Sequence, residues 1–440
     1  MILRIRKTPR EHTRFYILLS VLIGLLFIRY GLEIGIPRIV LTGVIAIIAL
    51  VGNRSEILAI AMCCIPLHAA VDFFYALVAC AGIYVLKYHQ EIRINLGVII
   101  TLAMIFWELL HCFRPEFSLM GFLVSMIPLI FLAVILCIDV SDLDYTFVIR
   151  TMAVVLVSTC LILLINLIVR ADFNLLLAIS GLRRLGEVSE NSRNEAMLGG
   201  DMNPNTLGII CVLVCTGLLQ LWSIGKSRMT DIMCMVILMV FGILTSSRTF
   251  LVCLLLMALL LIMAQPGDFR KKFRLSATLL LMAVAALILM NWLFPDVLEY
   301  YIKRFRLDDI TTGRDTLMIA YHRFISNNPH VMFFGVGLQD FVRNLTEIYR
   351  VADNLPHNSI QEIVVAWGIP GMLLFVLLCM MLFRQSGKYC RTYRLLNAIP
   401  FLILIVKSMA GQLLTSHYTI LALSYAYLSL CQNFEIKKET

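Results

Sequence analysis

Long apolar runs separated by short polar turns fill nearly the whole of this 440-residue chain, and two longer polar stretches interrupt them. The runs cover 15–28, 39–51, 57–71, 73–87, 96–113, 120–139, 146–169, 206–222, 232–245, 250–264, 277–294, 368–383, 395–414 and 418–432. About twenty apolar residues in succession span a bilayer as a helix, because a helix satisfies its backbone N–H and C=O groups from within. Several runs are shorter than that, so the pattern predicts twelve to fourteen transmembrane helices. The first run continues from a basic start without a small-residue cleavage site, which predicts a retained span.

The interrupting stretches are 170–205 and 295–367. Within the second, 297–305 and 316–325 repeat apolar residues at helical spacing, as in Leu317, Ala320, Tyr321 and Phe324. That spacing predicts two amphipathic helices on the membrane surface, with Gly313 at the entry of one and Asn327-Asn328-Pro329 at its exit. The expected fold is all-α: a polytopic membrane helical bundle, one integral membrane domain over 1–440, with a large outward-facing loop at 295–367 that contains short amphipathic helices.

Composition agrees, with 60% hydrophobic and only 15% charged residues, outside the range of soluble domains. The formal charge of +9 invites a nucleic-acid reading, but basic loops on the cytoplasmic side of a membrane explain it first. Short basic clusters fall on one side if the segments alternate: Arg4, Arg6, Lys7, Arg10 and Arg14; Lys226 and Arg228; Arg270, Lys271, Lys272 and Arg274; Arg384, Lys388, Arg391 and Arg394; Lys437 and Lys438. The termini are therefore expected in the cytoplasm, and 170–205, 295–367 and Ser246-Ser247-Arg248 on the outer face. The 13 cysteines, Cys63, Cys64, Cys80, Cys211, Cys215 and Cys253 among them, lie mostly within apolar runs and read as small buried hydrophobes.

Candidate chemistry collects on the outer side. Arg248 follows two serines at the edge of a span, where a guanidinium holds a phosphate or anchors to headgroups. Arg314 follows Gly313 at a helix start, a place that favours an anion. His357 can take a proton near neutral pH, and Asn358 can orient a sugar or lock the turn. Asn203 and Asn205 flank Pro204 at the start of a span and serve either a ligand or a helix cap. Arg343 is a further substrate-binding candidate in the basic loop. Asp308-Asp309 has no third acid nearby, so no metal is assigned, and Gly335-Val336-Gly337 lacks the strand that a nucleotide-binding loop needs. Close backbone packing is sufficient reason for those glycines. Arg150, near the cytoplasmic end of its run, is expected to snorkel.

In this order, Asn203-Pro204-Asn205, Thr245-Ser246-Ser247-Arg248, Thr312-Gly313-Arg314-Asp315, Asn328-Pro329-His330 with Phe334-Gly335-Val336-Gly337, and His357-Asn358-Ser359-Ile360 with Trp367-Gly368-Ile369-Pro370-Gly371 resemble the bacterial O-antigen ligase and Wzy-type O-antigen polymerase family. The likeness covers about half the chain, roughly 195–385. It implies a GT-C-like integral-membrane glycosyltransferase of the bacterial inner membrane that moves glycan from an undecaprenyl-diphosphate-linked oligosaccharide without metal or cofactor. By the same resemblance Arg248 and Arg314 handle the diphosphate and His357 the acceptor. The partners implied are membrane lipids, a chain-length regulator and a flippase, and no nucleic acid. Leu317 and Met318 stand where family members often carry a tryptophan.

The chemistry fits independently. Cleaving a glycosyl diphosphate releases a doubly charged leaving group that cations can stabilise, and the attacking hydroxyl needs a base. The leading reading is a surface-polysaccharide polymerase; a ligase that passes finished glycan to lipid A-core keeps the chemistry and changes the acceptor. A lipid-linked oligosaccharide flippase is the alternative from another class, disfavoured because charges near mid-span are sparse.

Overall fold

The computed structural model describes residues 12–113, 118–140, 143–174, 204–264, 269–293, 295–306, 313–339, 341–352, 355–389, 393–409 and 411–432. Among them helices dominate and no strand occurs. In chain order the long helices are α1 Thr13–Leu26, α2 Arg38–Val51, α3 Arg54–Leu67, α4 Phe73–Tyr88, α5 Leu96–Leu109, α6 Leu119–Leu136 and α7 Tyr145–Arg170. They continue as α8 Pro204–Ser223, α9 Met229–Leu244, α10 Arg248–Ala264 and α11 Phe269–Leu293. Three follow in the long polar stretch, α12 Pro295–Arg306, α13 Arg314–Asn327 and α14 Pro329–Phe334, before α15 Ser359–Tyr389, α16 Arg394–Met409 and α17 His417–Leu430.

Every apolar run in the sequence coincides with one of these helices. Among the described residues six helical segments are both long and apolar enough to cross a membrane, and shorter apolar helices accompany them. The expected amphipathic pair is present as α12 and α13. Gly313 caps the start of α13 in a left-handed conformation (φ 78°), and Asn328 ends it, with Pro329 opening α14 at its first turn. Proline fits there because the first helical N–H has no partner within the helix.

Burial divides the bundle into a centre and a lipid-facing ring. α8 is the hub: 89% of its apolar window is buried, against 33% for α5. Such a helix, apolar on all sides, belongs inside a bundle. α3, α7, α9, α10 and α16 pack around it and Tyr425 of α17 donates to its Leu213 O, while Leu86, Leu255 and Ile288 stay exposed on the outward faces of their helices, as lipid-facing side chains should.

A polar layer ties the centre together near the C-terminal end of α8. The Tyr145 hydroxyl donates to Gln220 Oε1 (3.0 Å), and Gln220 Nε2 donates to Leu396 O and Ser429 Oγ, both at 2.8 Å. Arg150, expected to snorkel, is instead gripped by Asp231 at 2.8–3.1 Å and donates to Lys226 O (2.9 Å). Its side chain is only 18% exposed, so a carboxylate rather than headgroups supplies the counter-charge. The six cysteines singled out in the sequence are all buried.

Candidate active site

The candidate site forms at the opposite end of α8, about 22 Å from Gln220 at 1.5 Å per residue. One wall rests on a backbone crossing. α15 bends at Gly368, whose φ of 68° breaks the helical path. Pro370 has no N–H to give to the carbonyl of Ala366. The loop after α14 supplies the missing donors: Gly337 N donates to Ala366 O (2.8 Å) and Val336 N to Val365 O (2.7 Å). The chains approach so closely that a Cβ on Gly335 would lie 2.2 Å from Ala366 O, and one on Gly368 2.5 Å from Phe333 O. Close packing is thus the reason for Gly335-Val336-Gly337, as the sequence led us to expect.

α5 locks the crossing from the side. The carboxylate of Glu108 accepts from Trp367 Nε1 (2.6 Å), Leu338 N (2.9 and 3.0 Å) and Gln339 N (3.2 Å). Trp107 Nε1 donates to Trp367 O (2.8 Å), another carbonyl left over at the bend. These N–H donors compensate the buried carboxylate, and the His111 imidazole lies 3.9 Å from the same group.

The second wall is the turn between α9 and α10. Thr245, Ser246 and Ser247 are fully buried, and Ser246 takes a positive φ of 49°. Ser247 Oγ accepts from Phe250 N (3.2 Å) and so caps α10, which puts the half-buried Arg248 at the helix head. The turn seats against α8, because a Cβ on Gly208 would meet Phe250 Cβ at 3.0 Å and Thr245 Oγ1 at 3.1 Å. Asn205 lies one turn earlier. Expected as a possible cap, it is instead inside the first turn, since α8 begins at Pro204. Asn203 lies outside the described residues. The neighbouring Thr206 hydroxyl meets that of Tyr418 on α17, and the His68 ring lies tilted against the Tyr418 ring, centres 5.1 Å apart.

The third wall is the head of α15. Asn358 Oδ1 accepts from Ile360 N (2.9 Å) and Gln361 N (3.4 Å), so of its two expected roles it performs the locking of the turn. Gln361 Nε2 donates to Met318 O (2.8 Å), which fastens α13 to α15 and brings Arg314 into the electrostatic neighbourhood of His357. Burial, and then the positive charge of Arg314, holds the His357 imidazole below its ordinary range. It is therefore neutral at neutral pH, the state that accepts a proton. Tyr321 and Phe324 are the buried face that holds α13 down.

Sequence reasoning missed the element between these walls, the loop 411–415. Glu362, fully buried one turn after Asn358, accepts from Leu413 N (2.5 Å), Leu414 N (3.1 Å), Thr415 N (2.9 Å) and Thr415 Oγ1 (2.5 Å). Ser359 Oγ donates to Gly411 O (3.0 Å). On the far side of the loop, Lys407 Nζ donates to Gln412 O (2.7 Å) and Thr419 Oγ1 (2.9 Å). The signal was a single charge inside an apolar run, which marks function or pairing in a membrane helix.

Arg248, Asn205, Arg314, His357 and Asn358 are thus carried by elements that meet at one end of the bundle. The exposed guanidinium of Arg343 lies 3.5 Å from Glu347. Asp308 and Asp309 lie outside the described residues.

Comparison with known proteins addresses the same region. No curated protein matches the chain significantly. Among protein families, the one described as O-antigen ligase matches residues 233–376, a stretch from α9 through Arg248, Arg314 and His357 into α15. This match and the apolar helices support glycan transfer of the O-antigen ligase or polymerase type by a multi-pass membrane protein. The motifs, the all-helical bundle and the match agree, and over residues 233–376 the chain is similar to the O-antigen ligase family.

Proposed function

We propose that the protein is a surface-polysaccharide polymerase of the bacterial inner membrane that joins repeat units carried on undecaprenyl diphosphate. The observation that carries this reading is that Arg314 acts on a neutral His357 and that Arg248 heads a helix at the same end of an apolar bundle. In the step itself, an acceptor hydroxyl oxygen bonds to the anomeric carbon of the donor as the bond from that carbon to the phosphate oxygen breaks. His357 takes the hydroxyl proton. Arg248 and Arg314 hold the diphosphate as its charge grows, which is where preorganised cations lower a barrier. The polyprenyl tail stays in lipid, which accounts for an arginine at the head of a spanning helix. The site faces outward, the termini face the cytoplasm, and a flippase and a chain-length regulator are the expected companions.

Alanine at Arg248, Arg314 or His357 should abolish long polymer while membrane abundance is kept; normal chain-length ladders from all three variants would sink the proposal. The description of the matched family favours a second reading, in which the acceptor is lipid A-core. A deletion strain separates the two. Single repeat units left on the carrier indicate the polymerase, and long polymer left on the carrier indicates the ligase.

A further inference from the structure

We infer that the Lys407 ammonium is a third cationic contact for the donor's diphosphate, seated below Arg248 on the floor of the site. The inference rests on the diphosphate-linked donor proposed above and deepens it. It begins from a charge without a counter-charge. Lys407 is only 6% exposed, near the end of α16. Its neighbours are neutral: Gln412 O, Thr419 Oγ1 and the Tyr418 ring, whose centre is 5.1 Å away. Among the described residues no carboxylate lies within 4.0 Å of it. Two other buried charges contrast with this, Asp231 being matched by Arg150 at 2.8 Å and Glu56 by His12 at 2.7 Å, while buried Glu362 is met by four neutral donors, more than Lys407 has acceptors.

Burying an ammonium costs several kcal/mol unless an anion compensates it, and two neutral acceptors satisfy only part of a group with three donors. An anion that arrives with the substrate would complete the balance. The surroundings favour that source. α10 packs along α16, and the ammonium lies within electrostatic reach of Cys253. Cys253 is five residues beyond Arg248, about 7 Å further along the helix. The same ammonium grips Gln412, whose neighbours Leu413, Leu414 and Thr415 are held by Glu362 from the head of α15. Thr419, its other partner, lies beside Tyr418 and Ser416 and, through Tyr418, Thr206 at the start of α8. Lys407 therefore sits where the walls that bear Arg248, Asn205 and His357 converge. A diphosphate spreads its charge over two phosphoryl groups, so a cation below Arg248 and a cation above it meet different ends of one ligand.

The test uses full-length protein in detergent and farnesyl diphosphate as a short-tailed probe, with farnesyl monophosphate for comparison. Lys407→Met keeps the length of the side chain and removes the charge; Lys407→Arg keeps the charge. We expect Lys407→Met to weaken farnesyl diphosphate at least tenfold and to reduce its preference over the monophosphate, with an unliganded melting temperature equal to or above that of the parent. Lys407→Arg should retain the preference. A Lys407→Met protein that melts earlier and loses both ligands equally would assign Lys407 a structural role and overturn the inference. Unchanged binding in Lys407→Met beside weakened binding in Arg248→Gln would overturn it while leaving the donor reading intact. A parent protein that does not bind farnesyl diphosphate at all would overturn both.

Discussion

Glu362→Gln is the substitution that most sharply probes how the site is assembled. Glutamine has nearly the shape of glutamate, so packing is preserved and the hydrogen-bond pattern alone changes. In the native arrangement one carboxylate oxygen serves Leu413 N and Leu414 N and the other serves Thr415 N and Thr415 Oγ1. The amide of glutamine can place its oxygen on only one of these pairs. Placed on Leu413 and Leu414, it leaves its NH₂ facing the Thr415 hydroxyl, which can turn to accept, and the Thr415 N–H, which cannot. One buried N–H then goes unsatisfied, at about 1–3 kcal/mol, and the bonds that remain lose their ionic partner. A net loosening of the loop by about 2–3 kcal/mol follows, and at tenfold per 1.4 kcal/mol this is roughly 30- to 150-fold in the opening equilibrium. Hydrogen–deuterium exchange on a peptide covering 411–416, in detergent, reads that change directly. Polymer synthesis should fall with it, because the same loop braces the head of α15 behind His357. Exchange within about threefold of the parent would refute the claim that this carboxylate anchors the loop.

Other outcomes follow from the same geometry. Arg314→Gln removes the charge that helps hold the His357 imidazole low, so its pKa should rise, read by NMR titration of the imidazole in detergent rather than by turnover; burial keeps part of the depression, and an unmoved titration would separate the two residues. Gly335→Ala puts a Cβ 2.2 Å from Ala366 O at a φ of 77°; the glycine-only backbone costs about 1–3 kcal/mol, and the two backbone hydrogen bonds of the crossing about 1 kcal/mol each, so detergent-extracted protein should melt several degrees earlier, whereas an equal melting temperature would contradict the crossing. Cysteine labelling from outside intact spheroplasts should reach a cysteine placed at exposed His330 and not one at Lys226, and the reverse would invert the orientation.

How much of this was legible in the sequence depended on the range of the interactions involved. Apolar runs announce helices locally, so each predicted run found its helix and α12 and α13 appeared where their spacing placed them. The span expected to start at 368 does start at a break, because Gly368 leaves the helical path; a helical segment from Ser359 leads into it, and Val336 and Gly337 donate to the carbonyls that the break exposes. The motif glycines were readable as close packing, but not what they packed against. Glu108 finds its partners at Leu338 and Gln339, more than two hundred residues away, and Glu362 finds its own about fifty residues later. Lys407 stood in plain sight as a lone charge in an apolar run, yet only the fold places it beside the elements that carry Arg248 and His357.

The central claim is that this bundle end transfers glycan from a prenyl diphosphate. Purified protein given a synthetic repeat unit on a polyprenyl diphosphate tests it most directly, with products resolved by length. The account predicts a ladder of elongated, diphosphate-linked products from the parent, and none from proteins with alanine at Arg248, Arg314 or His357. Elongation that persists in all three variants, or a parent protein that moves the intact donor across a vesicle membrane without elongating it, would contradict the account.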